Sequence, residues 1–176
     1  AQVKHVAQTG TLNPKDVTVP GVFIDAIVVC DNPWEDHRQT SSWYFDPSYC
    51  GQLRVPQGNI EPALFNERKF IARRGTMDLY PGAVINLGTG IPNDMVGKVC
   101  NEERVSEDVM ITVESGIYGG VQAGGIDFGI GQNLYAMIGH HEQMDYYNGA
   151  GVDITYMGLG ELDEMGNVNS TKMGPR

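Results

Sequence analysis

Two short apolar runs, each ending in glycine, constrain the fold of this chain more than any other feature. Ala83-Val-Ile-Asn-Leu87 leads directly into Gly88-Thr-Gly90-Ile-Pro92, and Val109-Met-Ile-Thr-Val113 leads into Glu114-Ser-Gly116. Residues 93–103 between them have helical composition. Strand, helix and strand with short joints is the βαβ signal, which makes the two strands parallel and sets their carboxyl ends on one sheet edge. Both glycine-bearing loops therefore meet there. The class expected is α/β, with an open, largely parallel sheet flanked by helices.

The rest of the chain is read against that unit. Asn66 is a helix N-cap for residues 67–79, with Glu67 in the first turn and Pro81-Gly82 as the stop. Phe70, Ile71 and Met77 are its expected buried stripe. Upstream, residues 1–30 read as sheet, and the run Val22-Phe-Ile-Asp-Ala-Ile-Val-Val29 is continuous enough to predict a strand buried on both faces. Periodicity vanishes over 31–65, which reads as a linker or lid. Residues 116–131 hold seven glycines in sixteen positions. Val121, Ile126 and Phe128 among them indicate an ordered loop whose backbone approaches something closely. Residues 152–158 form a further strand, and 161–170 a hairpin turning near Gly166.

Composition excludes several function classes. The formal charge of −10 is the wrong sign for a surface that tracks phosphates, and the single basic cluster, Arg68-Lys69 with Arg73-Arg74, reads as a solvated helix face. No nucleic-acid partner is expected. No apolar run approaches the ~18–20 residues that span a bilayer, so no membrane role is expected either. Cys30, Cys50 and Cys100 are three, widely spaced and without a CxxC pair, which argues against a disulfide framework or zinc and for a reducing cytoplasm. His140-His141-Glu142 places its histidines side by side rather than at i and i+4, so it reads as surface polarity and no metal is expected. Asp163-Glu-Met-Gly166 has its glycine too early for a calcium loop.

Glu114 carries the chemistry. Ligands of open α/β sheets bind in the crevice beyond the carboxyl ends of the strands, and Glu114 is the first residue past one such end. A β-branched strand feeding a carboxylate into Ser-Gly and then Gly-Gly is poor packing sequence unless close backbone approach is wanted. The carboxylate could serve as general base or as nucleophile, the latter forming an acyl-enzyme. Oxyanion donors would be backbone N–H groups, with Gly88, Gly90 and Gly116 candidates by position. Gly88-Thr-Gly90 has Asn93 where GxGxxG needs its third glycine, so it is either a ligand loop or a tight turn.

The blocks Ile85-Asn-Leu-Gly-Thr-Gly-Ile-Pro92, Thr112-Val-Glu-Ser-Gly116, Gln122-Ala-Gly-Gly-Ile-Asp-Phe-Gly129 and Glu164-Met-Gly-Asn-Val-Asn169 together resemble the family I CoA-transferases, in their propionate or acetate CoA-transferase branch. Val6-Ala-Gln-Thr-Gly-Thr-Leu12, Pro20-Gly-Val-Phe-Ile-Asp25 and Asn66-Glu-Arg-Lys-Phe-Ile-Ala-Arg-Arg74 resemble the same branch. Gly75 and Ile117-Tyr118 depart from its pattern, where Ala and Pro-Ile are more usual.

The resemblance implies two similar α/β halves, with residues 1–30 the end of the first, 31–65 the linker and 66–176 a CoA-transferase-like second half that continues beyond Arg176. It implies ping-pong transfer of CoA between a short-chain acyl-CoA, propionyl-CoA or acetyl-CoA, and a carboxylic acid. Glu114 then attacks the thioester and passes through an anhydride to a glutamyl-CoA thioester. CoA is a substrate, with no other cofactor. Gly88, Thr89, Gly90, Ile91 and Pro92 form the loop that approaches it, with Gly116 beside the nucleophile. A homo-oligomer of the full-length protein, or a complementary chain supplying the other half, is the expected assembly. The alternatives are an acyl-CoA thioesterase using the same glutamate and a non-catalytic subunit.

Overall fold

The computed structural model describes residues 1–174 and comprises two compact units, residues 1–46 and the chain from Pro47 onward. In the first, β1 (Gln2–Val3) pairs in parallel with β2 (Val28–Val29), and one helical turn, α1 (Pro33–Asp36), follows. The expected doubly buried strand at 22–29 is not there. A 3-10 turn at Gly21–Phe23 precedes the two-residue β2, and Val22, Phe23, Ile27 and Val28 are all exposed. A two-stranded ribbon offers no layer on either face, so β propensity alone cannot bury these side chains.

The division after Asp46 falls within the segment read as a linker. Residues beyond it pack into the second unit: Asn133 holds both backbone groups of Val55, at 2.9 Å each, and Ile60 and Ala63 are buried.

The second unit runs α2 (Glu67–Thr76), β3 (Val84–Leu87), α3 (Gly97–Glu102), β4 (Met110–Val113), β5 (Ile117–Tyr118), β6 (Val121–Gln122), β7 (Gly131–Gln132), β8 (Ala136–Met137), α4 (His140–Asn148), β9 (Ile154–Tyr156), β10 (Glu161–Leu162) and β11 (Val168–Asn169). Five strands form a mixed, mostly parallel sheet in the order β8-β5-β4-β3-β9. β3 is parallel to both β4 and β9, while β5 runs antiparallel to β4 and to β8. The βαβ unit is as the sequence predicts. Leu87, Val113 and Tyr156 all end at the same edge, where the 88–92 loop and Glu114 begin.

Strand alternation gives this sheet two different faces. Ile85, Leu87, Ile111 and Val113 are fully buried and join Val96, Val99 and Cys100 in the core. The opposite face presents a polar row, because the register places Thr112 and Thr155 on either side of Asn86.

The helix expected at 93–103 begins with a π-helical turn, Pro92–Val96, and becomes α-helical only at Gly97. A Cβ at Gly97 would collide with the Gln122 amide, so glycine is what lets this segment lie against β6.

Asn66 caps α2 as expected, its side chain accepting the Lys69 N–H at 3.2 Å. The stripe does not follow: Phe70, Ile71 and Met77 are exposed, and Ala72 and Thr76 face inward. Small residues win that face because the helix approaches closely. The Tyr156 ring lies beside Gly75, whose carbonyl accepts its hydroxyl at 2.8 Å. The basic cluster pairs largely with acids of the next helical segment, Arg68 with Asp94 at 3.4 Å, Lys69 with Glu102 at 2.5 Å and Arg73 with Glu103 at 2.7 Å. The hairpin β10-β11 turns at Gly166, which has φ 81°.

Candidate active site

Glu114 follows the last residue of β4 and is half-buried at the edge where the parallel strands end. Its Oε2 accepts a hydrogen bond from Asn86 Nδ2 at 3.1 Å. Asn86 stands in β3, one strand over and one residue before that strand ends, and is 7% exposed. Thr155 Oγ1 donates to Asn86 Oδ1 at 3.0 Å, so neighbours occupy both ends of the amide. Burying this amide is tolerable because its polar atoms are paired.

The backbone around Glu114 is as constrained as its side chain. Gly116 turns the chain at φ 104°, and its N–H donates to Val113 O at 3.0 Å. A Cβ there would collide with the carbonyl of Ile138, whose own N–H donates to Gly116 O at 2.8 Å. Glycine is required both by the left-handed backbone and by the strand alongside. Ser115 Oγ donates to Gly129 O at 2.8 Å. His140, the first residue of α4, sets its Nδ1 2.6 Å from the Glu114 carbonyl oxygen.

The 88–92 loop lies on the same edge. Gly88 is buried, its N–H donates to Tyr156 O at 2.8 Å, and a Cβ on it would press on the Tyr156 carbonyl and the Met157 sulfur. Gly90 turns at φ 90°, and its carbonyl accepts the Asp94 N–H at 2.8 Å. The N–H groups of Thr89 and Gly90 make no hydrogen bond within the described chain, whereas those of Gly88 and Gly116 are taken. Thr89 and Gly90 are thus among the free donors on this edge. Gly90, Ile91 and Pro92 also line a mostly apolar cavity of about 470 Å³ with Ile71, Tyr156 and Met157.

The glycine-rich segment proves to be a packed part of this wall. Gly120 lies against the backbone of Gln132, and Gly124 against Asp94. Asn93 Nδ2 donates to Ala123 O, and Asp94 Oδ1 accepts the Gly125 N–H at 2.9 Å, which ties the segment to the π-helical turn. Asn93 therefore does structural work at the place where a dinucleotide fingerprint needs glycine.

Sequence reasoning reached Glu114 and the two loops and missed Asn86, Thr112, His140 and Tyr147. Two of these left a legible mark. Asn86 and Thr112 are the lone polar residues in otherwise apolar strands, each at the penultimate position. His140 had no such mark, since only the tertiary fold brings α4 to Glu114. Among the described residues, no group of three or more His, Cys, Asp or Glu side chains is placed to hold a metal ion, and no helix is long and apolar enough to cross a membrane.

A carboxylate held by an amide beyond a parallel strand, on the edge that also carries a loop with free N–H groups, is an arrangement suited to acyl chemistry. No family model matches the chain. It is 39% identical over 174 residues to the caffeate CoA-transferase of Acetobacterium woodii and 35% identical to the acetate CoA-transferase YdiF of Escherichia coli K12. Each alignment covers 97% of this chain and 32% of the relative. The crystal structure of the acyl-CoA transferase YdiF apoenzyme from Escherichia coli O157:H7 superposes with a TM-score of 0.78 at 32% identity, over 98% of this chain and 30% of that one. Its thioester complex with CoA superposes at 0.72. The chain spans about a third of the length of the curated relatives it matches, and it fits a segment of a family I CoA-transferase.

Proposed function

We propose that the full-length protein is an acyl-CoA:carboxylate CoA-transferase with Glu114 as its covalent nucleophile. The observation that carries this reading is the Asn86–Glu114 hydrogen bond beside the 88–92 loop. It leaves Oε1 to attack while Oε2 is held. Attack on the thioester carbonyl breaks the C–S bond, releases CoA thiolate and leaves an acyl-glutamyl anhydride. The thiolate then adds to the Glu114 carboxyl carbon, the acyl group departs as its carboxylate, and a glutamyl-CoA thioester remains. An acceptor carboxylate reverses the sequence and leaves with CoA.

Each addition develops an oxyanion. At the Glu114 carbon it falls on Oε2, where Asn86 Nδ2 already donates. At the substrate carbon, the N–H groups of Thr89 and Gly90 are available donors on this edge. The apolar cavity by Gly90, Ile91 and Pro92 suits the aliphatic parts of a short-chain acyl-CoA, propionyl-CoA or acetyl-CoA. The relatives are named for caffeate and acetate, acids of very different size. In this reading residues 66–176 are part of the second half of a two-half enzyme, and the full-length protein is a homo-oligomer.

Incubating the full-length protein with propionyl-CoA and then borohydride reduces a glutamyl thioester to an alcohol, so peptide mapping is expected to find Glu114 modified. An unmodified Glu114 together with undiminished transfer by Glu114→Ala would overturn the reading. CoA release in the absence of any acceptor acid would indicate hydrolysis instead.

A further inference from the structure

Helix α4 meets the surroundings of Glu114 near both of its ends. His140, Gln143 and Tyr147 recur at i, i+3 and i+7, which places them on one face of the helix. All three are polar. A helix packing on a sheet normally turns apolar residues inward, so the buried Gln143 and half-buried Tyr147 on this face call for an explanation.

The Tyr147 hydroxyl lies 3.1 Å from Asn86 Nδ2 and 2.6 Å from Thr112 Oγ1. Proton counting fixes the direction of every bond in this set. Thr112 donates its only hydroxyl proton to Ile85 O at 2.7 Å, so it accepts from Tyr147. Tyr147, having donated, accepts from Asn86. The second Asn86 proton goes to Glu114, and Thr155 donates to Asn86 Oδ1. The chain is anchored on a backbone carbonyl that cannot donate, so it runs one way only. A reversed amide would aim Oδ1 at the carboxylate, oxygen against oxygen.

Seven residues earlier on the same helix, His140 Nδ1 meets the Glu114 carbonyl. A carbonyl can only accept, so Nδ1 carries the proton. Gln143, wholly buried between the two, faces the Tyr118 hydroxyl without completing a regular hydrogen bond.

We infer that α4 is the positioning element for Glu114: Tyr147 orients the Asn86 amide that holds the carboxylate, and His140 holds the backbone carbonyl of the same residue. Neither side chain touches the reacting atoms. This inference rests on the reading of Glu114 as the nucleophile.

The test uses the full-length protein with Tyr147→Phe, Thr112→Val, His140→Ala, His140→Asn and His140→Gln. Three quantities are measured: the rate at which propionyl-CoA produces the borohydride-sensitive adduct on Glu114, binding of free CoA by calorimetry, and the thermal midpoint. Tyr147→Phe is expected to slow adduct formation about tenfold to a hundredfold, the effect of misaiming a reacting group, with CoA binding unchanged. Thr112→Val removes the acceptor of the Tyr147 proton while keeping the strand's shape, so it is expected in the same range and stands in should Tyr147→Phe fail to fold. Asparagine places an N–H near the position of the imidazole Nδ1 and glutamine near that of Nε2. His140→Asn is therefore expected to recover much of the rate lost in His140→Ala, and His140→Gln is not.

Adduct formation at the wild-type rate in folded Tyr147→Phe or Thr112→Val overturns the inference, as does equal behaviour of the asparagine and glutamine variants. Absence of any Glu114 adduct in the wild type would instead overturn the nucleophile reading itself, so the two failures are distinct.

Discussion

At the scale of single residues, the site depends on what stands beside one carboxylate. Asn86→Asp would put a second carboxylate where the amide donates at 3.1 Å. Two such groups at that distance do not both ionise readily, so one pKa rises. The acid limb of the pH–rate profile is therefore expected to move to higher pH, and the rate at neutral pH to fall. Asn86→Ala removes a donor without adding charge; its expected loss is about a hundredfold to a thousandfold in kcat. Comparing the two profiles separates charge from hydrogen bonding. Gly116→Ala acts on the backbone instead. It combines the φ of 104° with a collision against the Ile138 carbonyl, and is expected to cost about 2 kcal/mol or more in thermal unfolding and to abolish Glu114 labelling.

Secondary-structure elements show which parts of this design a sequence reveals. The βαβ unit was legible because its strands are β-branched, its joints short and its handedness fixed by general rules, and these placed Glu114 and the 88–92 loop on one edge. The faces of the helices were not. Phe70 and Ile71 look like a core stripe in α2, yet Ala72 and Gly75 face inward because the Tyr156 ring brings the helix close. Periodicity reports which residues are apolar, whereas the distance between layers decides which of them fit. In α4 the sequence spoke for one turn only: His140-His141-Glu142 are exposed as read, whereas nothing in the pattern marked Gln143 as buried or set Tyr147 on the polar row of the sheet. Packing against the sheet's apolar face sets the chemistry of Cys100 in α3. Burial, with a smaller contribution from Glu103, pushes its thiol from an ordinary 9.0 up to about 12. The neutral thiol is the form the core accepts. Its contribution to stability is complete below pH 9 and is lost as the pH rises toward 12, because the unfolded chain gives up that proton first. Alkylation by iodoacetamide at pH 8 is expected to label the half-buried Cys30 and Cys50 well before Cys100, and Cys100→Ser is expected to flatten the fall in thermal midpoint between pH 9 and 11.

For the molecule as a whole, the two units differ in what holds them together. Every buried hydrophobic side chain among the described residues lies at or beyond Ile60. The 1–46 unit has none. It relies on one two-stranded parallel pair, local turns and contacts such as Lys4 over the Trp34 ring at 4.5 Å. Cation–π contacts at exposed sites contribute about 0.5–1 kcal/mol each, and a two-stranded ribbon is marginal in water, which is too little to offset the entropy of ordering some forty residues. The unit from Pro47 onward buries Ile85, Leu87, Ile111, Val113 and Val99 completely and links α2 to the following segment by ion pairs. Local opening free energies should differ accordingly, since segments with few buried apolar contacts open first. Limited proteolysis of the 176-residue chain is expected to cut within residues 1–46 early and to leave a resistant product that begins between Pro47 and Ile60 and retains Glu114. Mass spectrometry of the time course reads this directly. Equal rates of cutting in the 1–46 unit and in the β3–α3–β4 unit would show that the first unit draws its stability from something other than buried apolar surface.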